Sequence, residues 1–209
     1  MSARPTKIVC VGRNYVDHAR ELGNEVPANP LLFLKPPSAL IGPGEPILLP
    51  DASERVEHEA EIGIVIGERC RDLAPEDALR VVSGVRALND VTARDLQRSD
   101  GQWTRAKGFD TFCPVGPVAA LPADLSALTV VCRVNGEERQ RGSVREMVFG
   151  IAALISHVSR IMTWEPGDIL ATGTPAGVGP LRPGDVVEVE IPGVSSVRNP
   201  VHRRNDRET

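Results

Sequence analysis

Aromatic side chains make up only 3% of the 209 residues: two Trp, one Tyr and four Phe. So thin a supply argues against a surface that stacks nucleic-acid bases. Excess positive charge is missing as well. The formal net charge is −4 at pH 7, whereas a general nucleic-acid binder needs a basic face. No apolar run reaches the ~18 residues of a membrane-spanning helix. The opening segment Met1–Lys7 has neither the hydrophobic stretch nor the cleavage site of a secretory leader. The four cysteines, Cys10, Cys70, Cys113 and Cys132, include no CxxC pair, so zinc ribbons and dithiol redox motifs are not expected. Reduced thiols in a cytoplasmic protein are expected instead.

What is present is an ordinary globular composition, 41% hydrophobic and 25% charged, enough for a folded body without disulfides. Gly and Pro are plentiful (19 and 18) and spread along the chain, which suits a strand-rich fold with many turns. Strands are expected at Lys7–Val11, Glu57–Gly67, Val85–Asn89, Leu128–Val134, Glu137–Arg141, Asp168–Thr172 and Val186–Ile191, with Asn135-Gly136 as a hairpin turn. Asn14 fits the N-cap of a short helix Tyr15–Leu22, with Asp17 reaching back. A second helix is expected at Pro75–Val82. One long amphipathic helix is expected over Val144–Met162, opened by a Ser143/Glu146 capping box. Gly23–Pro50 reads as a long irregular segment of the kind that forms lids, and Val201–Thr209 as a frayed tail. The class is α+β, mostly β, in a single domain over residues 1–209.

The chemistry-bearing residues are carboxylates first. Glu59 and Glu61 lie two apart on an expected strand, so both project from one face about 7 Å apart. Spacing alone does not make a metal site: Glu188 and Glu190 have it too, alternating with Val187, Val189 and Ile191, and read as a solvated face. Asp90, at the end of another strand, supplies a third carboxylate, and three oxygen anions suit Mg²⁺ or Mn²⁺ rather than zinc. Alone, Asp90 reads equally as an Asx turn. His18 and Glu21, three apart on a helix, share a face. That is either an exposed pair or a carboxylate-steered base. Arg94, Gln97 and Lys107 can neutralise or bind an anion, or be ordinary surface groups. Thr172–Gly179 is a Gly-rich turn after a strand, without the Gly-Lys-Ser/Thr ending of a P-loop. Its N–H groups and the Thr174 hydroxyl can hold a carboxylate, or it is a tight turn only.

Six blocks taken together resemble the fumarylacetoacetate hydrolase family: VGRNYVDHAREL (Val11–Leu22), FLKPPSALIGPGEPI (Phe33–Ile47), HEAEIGIVIG (His58–Gly67), ALNDVTARDLQ (Ala87–Gln97), WTRAKGFDTFCPVGP (Trp103–Pro117) and TGTPAGVGP (Thr172–Pro180). The resemblance covers about residues 7–200 and is nearest to the compact acylpyruvate hydrolases. It implies the family's mixed β-sandwich roll, usually as a homodimer. It places the metal carboxylates on Glu59, Glu61 and Asp90. The catalytic dyad falls on His18 and Glu21, with the basic residue beside the metal on Lys107. Ligand contacts fall on Thr174 and, more weakly, on Arg13, Arg94 and Gln97. The implied cofactor is Mg²⁺ or Mn²⁺, and the implied partner a small 2-oxo acid. The expected reaction is hydrolysis of the C–C bond of an acylpyruvate-type 2,4-dioxo acid, with pyruvate leaving as its enolate. The alternatives are oxaloacetate decarboxylation or tautomerisation, or isomerisation of a 2-hydroxy-dienoate, all passing through related enolates.

Overall fold

The computed structural model describes residues 4–21, 23 and 25–204, and within them two five-stranded sheets carry most of the strand pairing. The first runs in the order Leu31–Lys35, Ile8–Gly12, Ile169–Ala171, Ala60–Ile66, Val82–Asn89. The second runs Glu137–Ser143, Thr129–Val134, Val186–Ile191, Ser195–Arg203, Ile47–Leu49. The expectation of a mostly β protein with a few short helices holds. Ala60–Ile66 is buried at every position, because it lies inside its sheet and is covered on both faces. Val186–Ile191 instead alternates, with Val187, Val189 and Ile191 in the core and Glu188 and Glu190 half-buried at the surface. Asn135 and Gly136 both take positive φ, 54° and 83°, the geometry a two-residue hairpin needs to match strand twist.

Two small sheets organise the region of interest. Gly179–Pro180, Val56–His58 and Thr92–Ala93 form one, so the Gly-rich turn, the first acidic segment and the Asp90 segment converge. Leu40–Ile41 pairs in parallel with Cys113–Pro114 in the other.

Several expected elements are corrected. The long helix Val144–Met162 is broken: Val144–Glu146 is a 3-10 turn, and the α-helix runs only over Ile151–Ser159. The capping box of Ser143 and Glu146 does form, but on that turn. Asn14 is the reason for the break. Its side chain accepts from Phe149 N (2.8 Å) and donates to Phe149 O (3.1 Å), and its backbone carbonyl accepts from Val148 N (2.8 Å). Those bonds fix a bend at residues 148–149, so the pattern of apolar residues spans two elements rather than one. The same amide donates to Thr172 O (2.8 Å), so it is committed to long-range contacts rather than to capping its own helix. That helix is Val16–Glu21, and Leu22 lies outside the described residues. Pro75–Val81 is a 3-10 helix.

Residues 23–50 are less irregular than expected. Leu31–Lys35 pairs antiparallel with Ile8–Gly12, and Ile47–Leu49 pairs in parallel with Val201–Arg203. The latter pairing also corrects the frayed tail, which is strand up to Arg203; residues 205–209 lie outside the described residues. Val197 and Val201 are buried, and their alternation with polar neighbours is the signal for this strand.

Asp168 fastens the start of the first sheet. Its Oδ1 accepts from Thr6 N (2.9 Å), Thr6 Oγ1 (2.7 Å) and Lys7 N (3.1 Å). Its Oδ2 accepts from Glu165 N (2.9 Å) and from the Lys7 ammonium. Burial alone would raise the Asp168 pKa, but these donors outweigh it and hold it below the ordinary value of 3.8. Asp168→Ala is therefore expected to destabilise the protein by about 1–3 kcal/mol, the size of lost hydrogen bonds to a charged group. Because the folded-state pKa is depressed, the stabilisation is present above about pH 4 and is lost as pH falls through the folded value. Urea titrations of wild type and variant between pH 7 and pH 3 check this: the gap between them should close only at the acid end.

Candidate metal centre and active site

Glu59 is not on one continuous strand with Glu61, as the alternation suggests. It occupies a break between Val56–His58 and Ala60–Ile66. There Asn89 Oδ1 accepts from Glu59 N (3.0 Å), and Glu59 O accepts from Asp90 N (2.8 Å). These two bonds clamp the acidic segment to the end of Val82–Asn89. As a result Glu59, Glu61 and Asp90 each present a carboxylate oxygen within 4.8 Å of the others, and all three are buried.

Such a cluster is costly unless cations compensate it. Lys107 Nζ donates to Glu59 Oε2 (2.7 Å) and Asp90 Oδ2 (2.6 Å). Lys35 Nζ donates to Asp90 Oδ1 (2.6 Å) and Val91 O (3.1 Å). Arg94 Nη2 donates to Glu59 Oε1 (2.5 Å), its Nε to Glu57 Oε2 (2.7 Å) and its Nη1 to Gln97 Oε1 (2.5 Å). Burial opposes ionisation of Glu59, yet Lys107 and Arg94 outweigh it and hold its pKa well below the carboxylate range. Glu61 is treated differently. It receives one backbone bond, from Gly173 N (2.8 Å), and among the described residues it forms no ion pair. Burial first, then Asp90 and Glu59, push its pKa well above the usual value.

The donor set is all oxygen, three carboxylates arrive from two segments, and one of them lacks a positive partner. A hard divalent cation would supply the missing charge, and the oxygen donor set fits Mg²⁺ or Mn²⁺.

His18, on Val16–Glu21, is buried, with Nδ1 3.4 Å from Glu21 Oε2. Glu21 in turn accepts from Gly177 N at 3.1 and 3.2 Å. Burial lowers the His18 pKa below 6.5; Glu59 and the Glu21 bond only partly offset this. Burial thus favours the neutral ring, the form that can accept a proton.

A cavity of about 230 Å³ gathers Arg13, His18, Glu59, Glu61, Arg94, Gln97, Lys107 and Thr174, with Phe33 and Trp103 closing one side. Asp90 and Glu21 stand behind it, each touching a lining residue. Arg13 takes φ 58°, an uncommon backbone state for a residue with a Cβ. Arg94 is committed to Glu57, Glu59 and Gln97, so its guanidinium acts within the wall. Lys35, Glu57 and Asn89 also build the site. Lys35 carries no sequence signal beyond closing the apolar run Leu31–Leu34, Glu57 none beyond the acidic alternation, and Asn89 none beyond preceding Asp90. All four cysteines are free thiols. Among the described residues no helix is long and apolar enough to cross a membrane.

The chain is similar to known proteins over nearly its whole length. The chain is 43% identical over 210 residues to the mitochondrial oxaloacetate tautomerase of Arabidopsis thaliana, covering 98% of this chain and 94% of that protein. It is 44% identical over 199 residues to the mitochondrial oxaloacetate decarboxylase of Dictyostelium discoideum, covering 91% and 90%. Among solved structures it superposes on 5-carboxymethyl-2-hydroxymuconate delta-isomerase from Mycobacterium smegmatis with a TM-score of 0.89 at 45% identity, covering 96% of this chain and 80% of that one. The sequence model of the fumarylacetoacetate (FAA) hydrolase C-terminal family matches residues 7–202, and the chain belongs to that family of enzymes.

Proposed function

We propose that this protein is a divalent-metal-dependent enzyme that moves a proton on a 2-oxo diacid of the oxaloacetate type, interconverting its keto and enol forms. The observation that supports it most is the juxtaposition, around one small cavity, of a buried acidic trio short of one cation and a buried histidine. Glu59, Glu61 and Asp90 hold the cation, Mg²⁺ or Mn²⁺. When bound, it polarises the 2-oxo carbonyl and makes the neighbouring C–H more acidic.

The remaining work belongs to the chain. His18 accepts the proton from C3 on the nitrogen opposite Glu21. Glu21 keeps the Nδ1–H turned toward itself and favours the protonated ring once it forms. Returning that proton to the 2-oxo oxygen completes the keto-to-enol change with no atom gained or lost. Lys107 sets a fixed positive charge beside the developing oxyanion. Thr174 and the Gln97 amide, whose Oε1 is already occupied by Arg94, bind the substrate's carboxylate. Arg13 offers a further cation at the rim.

A second reading, hydrolysis of an acylpyruvate, is favoured by the His18–Glu21 pair itself, since the same base can take a proton from water. The similarity to an oxaloacetate tautomerase and an oxaloacetate decarboxylase favours oxaloacetate chemistry, and that to an isomerase favours proton movement over bond hydrolysis. We further propose a homodimer, as the family resemblance implies, and a reducing compartment such as the cytoplasm, suited to the free thiols.

A side-by-side assay tests the reading. Keto–enol conversion of oxaloacetate, its decarboxylation, and cleavage of acetylpyruvate and fumarylpyruvate are followed by ultraviolet absorbance and pyruvate release. Tautomerisation is expected to be fastest and to stop with EDTA. Faster cleavage of an acylpyruvate would replace the first reading by the second. Undiminished rates in chelator would remove the metal from both.

A further inference from the structure

Glu137–Ser143 is an edge strand whose residues Glu137, Glu138, Arg139 and Arg141 are exposed and charged, yet Gln140 among them is buried. The register explains the exception. Val130 pairs with Gly142, Val131 with Arg141 and Cys132 with Gln140, so Gln140 and Gly142 share the inner face; the next residue, Arg133, pairs with Glu138, and the β-bulge at Arg139 breaks the alternation for Glu138. The inward amide reaches across to the Gly-rich turn. Gln140 Oε1 accepts from His58 Nδ1 (2.9 Å) and Ala60 N (3.0 Å). Its Nε2 donates to Thr174 Oγ1 (2.8 Å) and Pro175 O (2.8 Å). All four hydrogen-bonding positions of the amide are used. Its orientation is fixed by groups that have no choice of role, since Ala60 N can only donate and Pro175 O can only accept.

We propose that Gln140 is a positioning residue for the active site: it forces the Thr174 hydroxyl to act as a donor into the cavity and sets the seat of the Gly-rich turn. Because Thr174 Oγ1 accepts from Gln140, its own proton points elsewhere, toward the cavity that Thr174 lines. A hydroxyl so arranged suits the carboxylate of a 2-oxo acid, and this part rests on the function proposed above.

The seat leaves no slack. A Cβ at Gly142 would lie 2.5 Å from Pro175 Cβ, and one at Gly177 would lie 2.1 Å from Arg139 O. The same turn sends Gly173 N to Glu61 and Gly177 N to Glu21. One buried amide therefore registers a metal carboxylate, a ligand hydroxyl and the partner of His18 against one another.

The test is a double-mutant cycle of Gln140→Glu with Thr174→Val, read as oxalate affinity in the presence of Mg²⁺ by calorimetry, with hydrogen exchange of residues 172–179 measured on the same proteins. Gln140→Glu keeps the size and both acceptor roles but opposes Thr174 Oγ1 and Pro175 O with an acceptor. Each single variant is expected to lose about tenfold in oxalate affinity, the size of one charge-assisted hydrogen bond. The double variant should lose no more than about threefold beyond Thr174→Val alone. Exchange should rise in 172–179 while the sheets stay protected. Full multiplication of the two losses, or wild-type affinity in Gln140→Glu, would overturn the proposal, since a core amide without this role behaves that way. Gln140→Met, which keeps the volume and removes all four bonds, is carried through the same cycle and decides the case where Gln140→Glu does not fold. Should the wild type fail to bind oxalate, the metal and 2-oxo-acid reading falls; exchange then judges Gln140 by itself, and unchanged protection of 172–179 in the variants overturns it.

Discussion

In chelator at pH 7.5, Glu61→Gln is expected to melt higher than the wild type while losing the further rise that Mg²⁺ or Mn²⁺ gives, whereas Asp90→Asn is expected to melt far lower. Glu61 is buried with one backbone donor and no cation. Folding without metal must therefore either protonate it or bury its charge beside Asp90 and Glu59. The glutamine removes that cost and can donate to the neighbouring oxygens. A rise of roughly 2–4 °C corresponds to about 1 kcal/mol in a chain of this size. Asp90 holds two buried ammonium groups, Lys35 and Lys107. Neutralising it takes the carboxylate from Lys35 and leaves Lys107 with Glu59 alone, an effect of about 3–5 kcal/mol.

The pH dependence has a definite sign. The folded-state pKa of Glu61 is raised, so the folded protein binds more protons than the unfolded chain, and metal-free stability falls as pH rises above the unfolded value. The gap between wild type and Glu61→Gln should widen from pH 5 upward. Thermal melts in EDTA, repeated with each cation, measure all of this. A lower melting temperature for metal-free Glu61→Gln would show that Glu61 is compensated after all.

His18→Ala is the second large effect. Turnover is expected to fall by about 10²–10⁴, the usual contribution of a positioned base. Metal affinity should hold, because His18 hydrogen-bonds Glu21 and none of the three site carboxylates. Glu21→Gln should lose less, since the ring remains in place but the protonated form loses its partner. With burial lowering the His18 pKa, the acid limb of kcat/KM in the wild type should lie below 6.5. Stopped-flow rates on oxaloacetate across pH 5–9, beside calorimetric Mg²⁺ titrations, separate the two quantities. A loss of metal affinity matching the loss of rate would defeat this division of roles.

The acidic trio is legible in the sequence because it combines a spacing with a motif order. Glu188 and Glu190 show that spacing alone misleads: they share it and stand half-buried at the surface, Glu190 paired with Arg133 (2.7 Å). What separates the two pairs is burial on both faces of a central strand, a tertiary property. The compensating cations are less legible. Lys35 reaches Asp90 only through sheet pairing, and Gln140 stands among exposed charged neighbours whose alternation a bulge at Arg139 interrupts. The long helix fails for a related reason. A 3.6-residue pattern persists across Met147–Gly150, but Asn14, more than 130 residues away, takes the backbone there. The strand's last residues, Val201–Arg203, are missed because they pair with Ile47–Leu49, far back in a segment dense in Pro and Gly.

On the proposed reading, the strap of glycines between Thr172 and Gly179 is bolted to ion-holding and proton-carrying parts alike. The wall where Phe33 and Trp103 meet edge to face at 5.1 Å is no freer: Lys107 Nζ lies 4.9 Å from the centre of the Phe33 ring, and Lys107 N donates to Trp103 O. A replacement at Phe33 therefore shifts the ammonium as well as the room offered to a substrate.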